Sequence, residues 1–404
     1  MEKVRVGVMG AGRGSTMIHQ LLNRDDAELV AVCDFYEPSL KGVRQKAEQY
    51  GVPVALYTNF EDFLNHPGMD AVVLANFANA HAPFAIRCLE KGLHVLSEGI
   101  SNSTMAEGVA LVRAAEKSKA VYMLAENYPF LKFNREIDRV YRSGVLGKAL
   151  YAEGEYNHPF DPTDKELLQK LMPSDNHWRN YSPSSYYLTH SLAPLMYTTG
   201  ARPVRVTAMP VFSVEHTAHS RRYMSDASEV LTCLNDDSSV FRIMGWSSFG
   251  AEEVSFRICG TKGQMENLRS GEGKVMIRYN AWDVPDGEQP ERIYQPDWPA
   301  KYRTLISRSG LGTEYFLVQE FFRSIRNGTK PVMDVYFATT TASVGILGHR
   351  SMLNRSEPYD IPDFRKEEDR KKYEDDHLTP FWDRNGTPPT IPCCSQPVDR
   401  PVKG

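Results

Sequence analysis

The sequence has few cysteines, no long apolar run and no marked excess of charge of either sign. Its 404 residues contain six cysteines, too few for a disulfide framework. No stretch approaches the roughly 18 apolar residues that a membrane-spanning helix needs. Lys and Arg number 47 against 51 Asp and Glu, a net charge of −4, and the basic runs are short and interleaved with acids. Because nucleic acids and membrane surfaces require a concentrated basic face, we expect neither as a partner.

Signals of export and of a metal centre are also lacking. Residues 1–6 lead straight into a strand pattern without a charged and apolar leader, so we expect a cytoplasmic protein. Cys393 and Cys394 are adjacent and lack a Cys-x-x-Cys partner. The pair His216 and His219 has no further ligand at matching spacing. We therefore expect no bound metal.

The first third of the chain alternates short apolar runs with helical patterns. The apolar runs cover residues 4–9, 29–33, 71–75, 93–96 and 120–124. Strands that are apolar throughout and separated by helices are typical of a parallel sheet covered on both faces. Thr104 with Glu107 predicts a capping box at the start of one of the helices. Together these patterns predict a doubly wound α/β domain over residues 1–125.

The pattern changes after this domain. Longer runs in which polar and apolar residues alternate cover residues 151–156, 204–208, 229–233, 239–244 and 254–258. Alternation predicts a sheet with one face in water, within a second domain over residues 126–364. From about Phe364 the chain is charged and rich in proline. We expect residues 365–404 to form an arm that wraps a neighbour or is partly disordered.

A glycine-rich turn joins the first strand to the first helix, reading Gly10-Ala11-Gly12-Arg13-Gly14-Ser15. Asp34 closes the next strand 24 residues beyond Gly10. The first glycine permits a tight turn, the second lets a pyrophosphate approach the backbone, and the helix N-terminus supplies N–H donors. Asp34 would accept hydrogen bonds from both adenosine ribose hydroxyls and repel a 2′-phosphate, which favours NAD over NADP. The alternative is a structural glycine turn with a surface aspartate. The residues predicted here to bind NAD are Gly10, Gly12, Arg13, Gly14, Ser15 and Asp34.

Several further motifs are present along the chain. They are Asp70-Ala71-Val72-Val73-Leu74-Ala75 with His81 downstream, Gly92-Leu93-His94-Val95-Leu96-Ser97-Glu98, Gly144-Val145-Leu146-Gly147-Lys148, Trp178-Arg179, His190, Asn327-Gly328 with Asp334-Val335-Tyr336, and Ile361-Pro362-Asp363-Phe364. With the glycine turn and Asp34 they resemble the glucose–fructose oxidoreductase / inositol dehydrogenase / MocA (Gfo/Idh/MocA) oxidoreductases over residues 1 to about 364. The resemblance implies a Rossmann domain with a doubly wound parallel sheet. It also implies a C-terminal α+β domain with a large open, mainly antiparallel sheet, which binds substrate and often forms dimers or tetramers.

Two positions depart from the ordinary dehydrogenases of this family. The family usually has Lys-Pro after the glutamate, and the lysine serves in proton relay, whereas here the chain reads Glu98-Gly99-Ile100. Four residues before His190 the family often has aspartate, whereas here Tyr186 stands. The NAD-dependent glycosidases of the α-N-acetylgalactosaminidase type share both departures. Tyr187-Leu188-Thr189-His190 and Ala125-Glu126-Asn127-Tyr128 are similar to that branch. Those enzymes oxidise a sugar hydroxyl transiently, lose the glycosidic bond by elimination and then return the hydride.

Loss of hydride from a secondary alcohol requires its O–H proton to leave at about the same time. Histidine is a suitable base because its ordinary charge change lies near neutral pH. His190 is the leading candidate, the alternative being a histidine that only caps or packs. Tyr187 lies one helical turn before it and would relay a proton, unless its role is aromatic packing.

The remaining predicted site residues divide between cofactor and substrate. Glu98 ends a strand at the carboxyl edge of the sheet, where it would hold the nicotinamide ribose or carboxamide or else form a structural ion pair. Asn76, His81 and Asn127 are expected along the cofactor, the alternative for His81 being a residue that only starts a helix. The predicted substrate residues are Glu126, Tyr128, His158, Trp178 and Arg179. The last two would offer an aromatic face and a guanidinium to a sugar, unless Arg179 forms only a surface ion pair.

Three functions follow from these features and stay open. The first is an NAD-dependent oxidoreductase acting on a secondary hydroxyl of a sugar or glycoside, with carbon 3 favoured. The second is an NAD-dependent glycoside hydrolase that regenerates NAD internally. The third, motivated by Gly99 at the lysine position, is a catalytically silent NAD- or sugar-binding sensor. Each implies a small sugar or glycoside as partner, and the family resemblance implies a homo-oligomer, either a dimer or a tetramer.

Overall fold

The chain folds into two compact units. The computed structural model describes residues 2–159, 161, 164–172, 174–212, 224–269, 272–383 and 385–397. One unit comprises Met1–Phe130 with Trp298–Thr339, and the other comprises Leu131–Asp297 with Thr340–Gly404. Residues 298–339, which the sequence placed in the second domain, therefore pack with the first.

Six parallel strands form the sheet of the first unit. They are β1 (Val4–Met9), β2 (Ala27–Cys33), β3 (Ala55–Tyr57), β4 (Ala71–Leu74), β5 (His94–Ser97) and β6 (Tyr122–Leu124). Their order across the sheet is β3-β2-β1-β4-β5-β6, and every neighbouring pair is parallel. The order reverses between β1 and β4, the point where ligands bind in such sheets. The predicted doubly wound sheet is confirmed, with β3 as an additional edge strand.

Helices connect these strands. They are α1 (Ser15–Leu22), α2 (Glu37–Tyr50), α3 (Phe60–Leu64), α4 (His81–Glu90) and α5 (Met105–Lys117). The predicted capping box is present, because Thr104 accepts from the Glu107 backbone N–H and the Glu107 side chain accepts from that of Thr104. The later helix Gly312–Asn327 packs on α1. Its Arg326 pairs with Asp26 at 3.0 Å, which fixes it to the first unit.

The second unit contains a larger sheet, with nine strands in the described part of the chain. They are β7 (Ala149–Asn157), β8 (Pro203–Val211), β9 (Ser228–Asn235), β10 (Val240–Ser247), β11 (Glu253–Gly260), β12 (Gly263–Asn267), β13 (Val275–Tyr279), β14 (Glu291–Tyr294) and β15 (Tyr359–Asp360). Their order is β14-β13-β12-β11-β7-β10-β9-β8-β15. The neighbouring strands are antiparallel except for the parallel pair β7 and β10. The large, mainly antiparallel sheet is confirmed.

The helices near this sheet in the chain are α6 (Lys132–Arg142), α7 (Lys165–Leu171), α8 (Thr189–Thr199), Val335–Leu353 and Glu367–Tyr373. Of these, α6 contacts β12, and Gly348 of the helix Val335–Leu353 faces Leu231 of β9. Helix α8 packs across β7, β10 and β11. The buried core beneath it includes Leu231, Phe241, Ile243 and Phe256. The alternating strands therefore point their apolar residues toward these helices.

The C-terminal arm folds onto its own chain in the described residues. Arg350 donates two hydrogen bonds to Asp376, of 2.6 and 2.7 Å. The His349 ring lies 2.8 Å from the Pro392 carbonyl oxygen. Farther along, the Ser395 backbone N–H donates to Asp226 at 2.8 Å. The arm is therefore part of the second unit over 365–383 and 385–397.

Two features are absent from the described residues. No described helix has both the length and the apolar character required to cross a bilayer. No group of three or more His, Cys, Asp or Glu side chains in the described ranges is arranged to hold a metal ion. His216 and His219 lie outside those ranges.

Candidate active site

Close backbone contacts shape the glycine turn. Gly10 has φ of 95°, and a Cβ there would overlap the Ala75 carbonyl at the end of β4. A Cβ on Gly14 would overlap the Gly10 carbonyl oxygen, so glycine is required at both positions. A Cβ on Gly12, by contrast, would meet no described atom within 4 Å. The space over Gly12 is thus open to a ligand that approaches the backbone, beside Ser15 at the start of α1.

Asp34 holds the same turn from the end of β2. One carboxylate oxygen accepts from the Ala11 backbone N–H at 2.8 Å, and the other accepts from the Tyr36 backbone N–H at 2.9 Å. These two bonds orient the carboxylate. A carboxylate has about four lone-pair sites, so Asp34 retains capacity for ribose hydroxyls.

Arg13 and Glu98, both predicted cofactor residues, form an ion pair. Arg13 Nε lies 3.2 Å from Glu98 Oε1, and Arg13 Nη2 donates to Glu98 Oε2 at 3.3 Å. The structure therefore pairs two side chains for which the sequence analysis predicted separate contacts with the cofactor.

His81 connects two loops below the cofactor edge. Its Nδ1 lies 2.8 Å from the Ile100 carbonyl oxygen and its Nε2 lies 3.2 Å from that of Asn76. The side chain is buried, and burial lowers its pKa to about 4. The neutral ring has one N–H and donates to one carbonyl at a time. His81 thus positions these loops rather than presenting its ring to solvent.

Two asparagines at the carboxyl edge carry buried acceptors. Asn76 follows β4, and its Nδ2 donates to the Ala80 carbonyl at 3.2 Å. Asn127 follows β6, and its Nδ2 donates to Glu314 at 3.2 Å. In each, the side-chain Oδ1 is buried and accepts no hydrogen bond within the described ranges. Such orphaned acceptors indicate a missing donor, and the carboxamide and hydroxyl groups of NAD fit that need.

Glu126 and Tyr128 stand beside Asn127. Glu126 is buried, and its Oε1 accepts from the Tyr128 backbone N–H at 3.0 Å. Tyr128 is the first residue of a short 3-10 helix, Tyr128–Phe130. Burial of the Glu126 carboxylate indicates that it orders this turn.

In the second unit, His190 lies within an aromatic cluster. Its ring centroid is 5.3 Å from that of Tyr187 and 4.8 Å from that of Tyr156, both edge-on. Tyr156 also stacks on His158 at 5.5 Å. His190 is 9% exposed. The structure therefore groups the predicted catalytic pair with the predicted substrate residue His158.

Three glycines hold the segment that carries this cluster. A Cβ on Gly154 of β7 would overlap the Ser191 carbonyl oxygen. One on Gly245 of β10 would overlap the Ser184 carbonyl oxygen, and one on Gly345 would lie 2.5 Å from that of Ser185. The backbone of residues 184–191 is therefore packed directly against three neighbouring elements.

Trp178 and Arg179 are arranged differently from our expectation. Trp178 is buried, and the Arg179 guanidinium carbon lies 4.5 Å from its ring centroid. Arg179 therefore covers the aromatic face that we expected a sugar to contact. His158 is paired at its Nδ1 with Glu252 at 3.2 Å.

The sequence analysis missed Tyr156, the residue that connects the cluster. A usable signal was present, because Gly154 and Tyr156 share one face of β7 and His158 follows the strand directly, two residues after Tyr156. A glycine inside a strand often marks close backbone approach. Trp246, whose Nε1 donates to the His158 carbonyl at 2.8 Å, was also missed.

Two family models match different parts of the chain. Residues 4–126 match an oxidoreductase family with an NAD-binding Rossmann fold, the Gfo/Idh/MocA model. Residues 231–371 match the C-terminal domain of glycosyl hydrolase 109. Residues 4–126 thus form an NAD-binding Rossmann domain of the Gfo/Idh/MocA oxidoreductase type. NAD is its cofactor, and the glycine turn, Asp34 and the orphaned asparagine acceptors fit that group.

Relatives extend over most of the chain. A glycosyl hydrolase family 109 protein 1 from Shewanella sp. (strain MR-4) is 26% identical over 397 residues, covering 91% of this chain and 86% of the relative. An α-N-acetylgalactosaminidase from Shewanella oneidensis is 25% identical with the same coverage. The solved structure of levoglucosan dehydrogenase with NADH and levoglucosan has a TM-score of 0.73 at 17% identity, covering 90% of this chain and 100% of that one. This last likeness shows a shared fold.

Asp34 provides a direct test of cofactor choice. Asp34→Ala is expected to weaken NAD binding and to relax discrimination against NADP by about 1–3 kcal/mol, as for a lost charge-assisted hydrogen bond. Titration of each variant with NAD and with NADP measures the change. Asp34→Asn is the comparison, since its one side-chain oxygen can still accept from the Ala11 N–H, while the charge and the acceptor for the Tyr36 N–H are lost. An unchanged NAD/NADP preference in both variants would contradict the assignment.

Proposed function

We propose that this NAD-dependent enzyme hydrolyses a glycoside by transient oxidation of a secondary hydroxyl, with carbon 3 of the sugar as the favoured position. The observation that carries the proposal is the His190–Tyr187–Tyr156 cluster. It lies in the unit that also contains most of the segment matching glycosyl hydrolase 109, residues 231–371. That match supports the hydrolase over net oxidation.

His190 acts as the base at the reacting hydroxyl. It takes the O–H proton as the hydride leaves the carbon, and Tyr187, in ring contact with it, relays that proton. NAD supplies the chemistry of accepting this hydride and later returning it. The low exposure of His190 keeps bulk water away from the proton that must be returned.

Oxidation at carbon 3 allows the glycosidic bond to be cleaved by elimination. The carbonyl acidifies the C–H at carbon 2. That proton passes to solvent, the aglycone oxygen leaves carbon 1 and takes up a proton, and a double bond forms between carbons 1 and 2. Water then adds across this bond, its oxygen to carbon 1 and a proton to carbon 2. The hydride and the proton on His190 restore the hydroxyl. The sum is one glycoside plus one water giving sugar and aglycone, with NAD unchanged.

The second candidate function is a net NAD-dependent oxidoreductase on the same hydroxyl. The same groups favour it, because Asp34, the glycine turn and His190 suffice for the first half of the cycle. The silent sensor is the third, and the NAD site with Arg179 stacked on the buried Trp178 is compatible with binding alone.

One assay separates the three. Protein without added cofactor is mixed with chromogenic glycosides, including an α-N-acetylgalactosaminide, in D2O. We expect phenol release without net NADH, and a sugar product with deuterium at carbon 2, since that proton is exchanged during elimination. NADH formation without cleavage would instead identify the oxidoreductase. Neither signal across a broad sugar panel, with added NAD, would identify the sensor.

We further infer a cytoplasmic homo-oligomer. All six cysteines lie in described residues and form no disulfide there, as is usual for a reducing compartment. The outer face of the second sheet exposes Met209 and Leu234, by 65% and 40%. These side chains support association between copies of the chain through that face.

A further inference from the structure

The Arg13–Glu98 ion pair crosses the carboxyl edge of the first sheet. Arg13 follows β1 in the glycine turn, and Glu98 directly follows β5. Strand β4 lies between those two strands. Because two guanidinium nitrogens face the two carboxylate oxygens, at 3.2 and 3.3 Å, the pair has a two-point geometry. It therefore bridges the end of β4.

The two halves of the pair differ in their surroundings. The Glu98 side chain is 10% exposed, and its backbone N–H donates to the Leu74 carbonyl at 2.9 Å. The Arg13 side chain is 47% exposed and extends from a loop. Glu98 is thus held at the edge of the sheet, whereas Arg13 reaches it from the glycine turn.

The pair also stands across the expected course of the dinucleotide. The open space over Gly12 lies on the β1 side of the pair, the orphaned acceptor of Asn76 follows β4, which the pair spans, and that of Asn127 follows β6, beyond Glu98. A molecule that contacts Gly12 and reaches these acceptors has to pass the bridge between Arg13 and Glu98. The positive charge of Arg13 beside the turn also suits a pyrophosphate.

We propose that Arg13 and Glu98 form a clasp that closes over bound NAD and slows its release. The clasp rests on the NAD position assumed in the proposed function. Release requires breaking a partly buried two-point ion pair before the dinucleotide can leave. A hydrolase that returns the hydride to the same sugar needs NAD throughout the cycle, and the clasp provides that retention.

The test measures NAD release rather than turnover. Full-length protein is loaded with NAD and diluted into excess competing nucleotide, and retained NAD is quantified over time by mass spectrometry. We expect Arg13→Met and Glu98→Gln each to accelerate release by about tenfold, as for loss of a charge-assisted bond. The double variant should be no faster than the faster single variant, because all three break the same pair.

Arg87→Met is the matched control. Arg87 makes a two-point pair with Glu61 on the same unit, at 2.9 and 2.7 Å, remote in sequence from the glycine turn. Its removal should leave NAD release unchanged. Arg13→Lys keeps the charge but loses the two-point geometry, so it should fall between wild type and Arg13→Met.

Two results would overturn the clasp while leaving the proposed function intact. One is NAD release at the wild-type rate in both single variants. The other is acceleration in the double variant equal to the product of the two single effects, which would mean independent contacts. Failure of the wild-type protein to bind NAD would instead overturn the clasp and the proposed function together.

Discussion

His190→Ala is expected to lower kcat for glycoside turnover by about 10²–10⁴-fold, the usual contribution of a general base. Without the imidazole, the hydroxyl proton has no acceptor when the hydride leaves. NAD should stay bound with unchanged affinity, because the predicted cofactor residues belong to the first unit. Steady-state kinetics with a chromogenic glycoside and a parallel NAD titration measure both effects.

The neighbouring rings supply graded controls for His190. Tyr187→Phe keeps the ring packing at 5.3 Å but removes the hydroxyl, so a relay role predicts a loss of about tenfold. Tyr156→Phe keeps the contact at 4.8 Å and should change kcat less. Full turnover in His190→Ala would remove this histidine from the mechanism. Loss of NAD binding in the same variant would show that the substitution perturbs more than the proton transfer.

The parts of the fold that could be predicted are those with strong periodicity. The central strands β1, β2, β4 and β5 are apolar because the sheet is covered, and their sequence shows it. The short edge strand β3 was missed, since its three residues are only half-buried. Strand β14 was missed as well, because all but one of its residues are exposed and polar patterning there is weak.

Long-range packing was outside the reach of sequence patterns. Nothing in Gly312–Asn327 itself shows that this helix joins the first unit. Contacts between residues distant in the sequence attach this helix to the first unit. One example is the Arg24 guanidinium, which lies over the Tyr315 ring at 4.6 Å from its centroid, although the two residues are 291 positions apart. Tertiary partners, and not periodicity, decide which unit an amphipathic helix completes.

The candidate site divides in the same way. Motif spacing predicted the glycine turn, Asp34 and the His190–Tyr187 pair, because each depends on residues close in sequence. The pairing of Arg13 with Glu98, 85 positions apart, depends on strand order and side-chain direction. The burial of Trp178 under Arg179 likewise depends on surrounding packing. The places of these residues in the fold were therefore predictable, whereas their side-chain partners were not.

The three glycines around residues 184–191 explain how the second unit fixes its histidine. Each replaces a side chain with a direct contact to a backbone carbonyl of that segment, at Ser184, Ser185 or Ser191. Close packing of this kind leaves little freedom, because interiors tolerate few added atoms. The geometry of His190 is consequently set by β7, β10 and the helix Val335–Leu353 together.

Gly154→Ala should therefore destabilise the protein and misplace His190. The added methyl overlaps the Ser191 carbonyl oxygen, so β7 and α8 have to separate. Overpacking of this kind costs about 1–3 kcal/mol, and we expect kcat to fall at least about tenfold, since misplacement by 1 Å is costly. Denaturant unfolding and kinetics measure the two effects, and NAD binding should be retained.

Two helical glycines provide a matched pair for this prediction. Gly42, inside α2, would place a Cβ with no described atom within 4 Å, so Gly42→Ala should stabilise by up to about 1 kcal/mol through helix propensity. Gly345 lies inside the helix Val335–Leu353, where alanine would bring the same gain in helix propensity. The Cβ added there, however, would lie 2.5 Å from the Ser185 carbonyl oxygen. Gly345→Ala should therefore destabilise and lower kcat. Equal stabilisation by both substitutions would show that the backbone of residues 184–191 moves to accommodate the added methyl group. The three glycines would then not fix the position of His190.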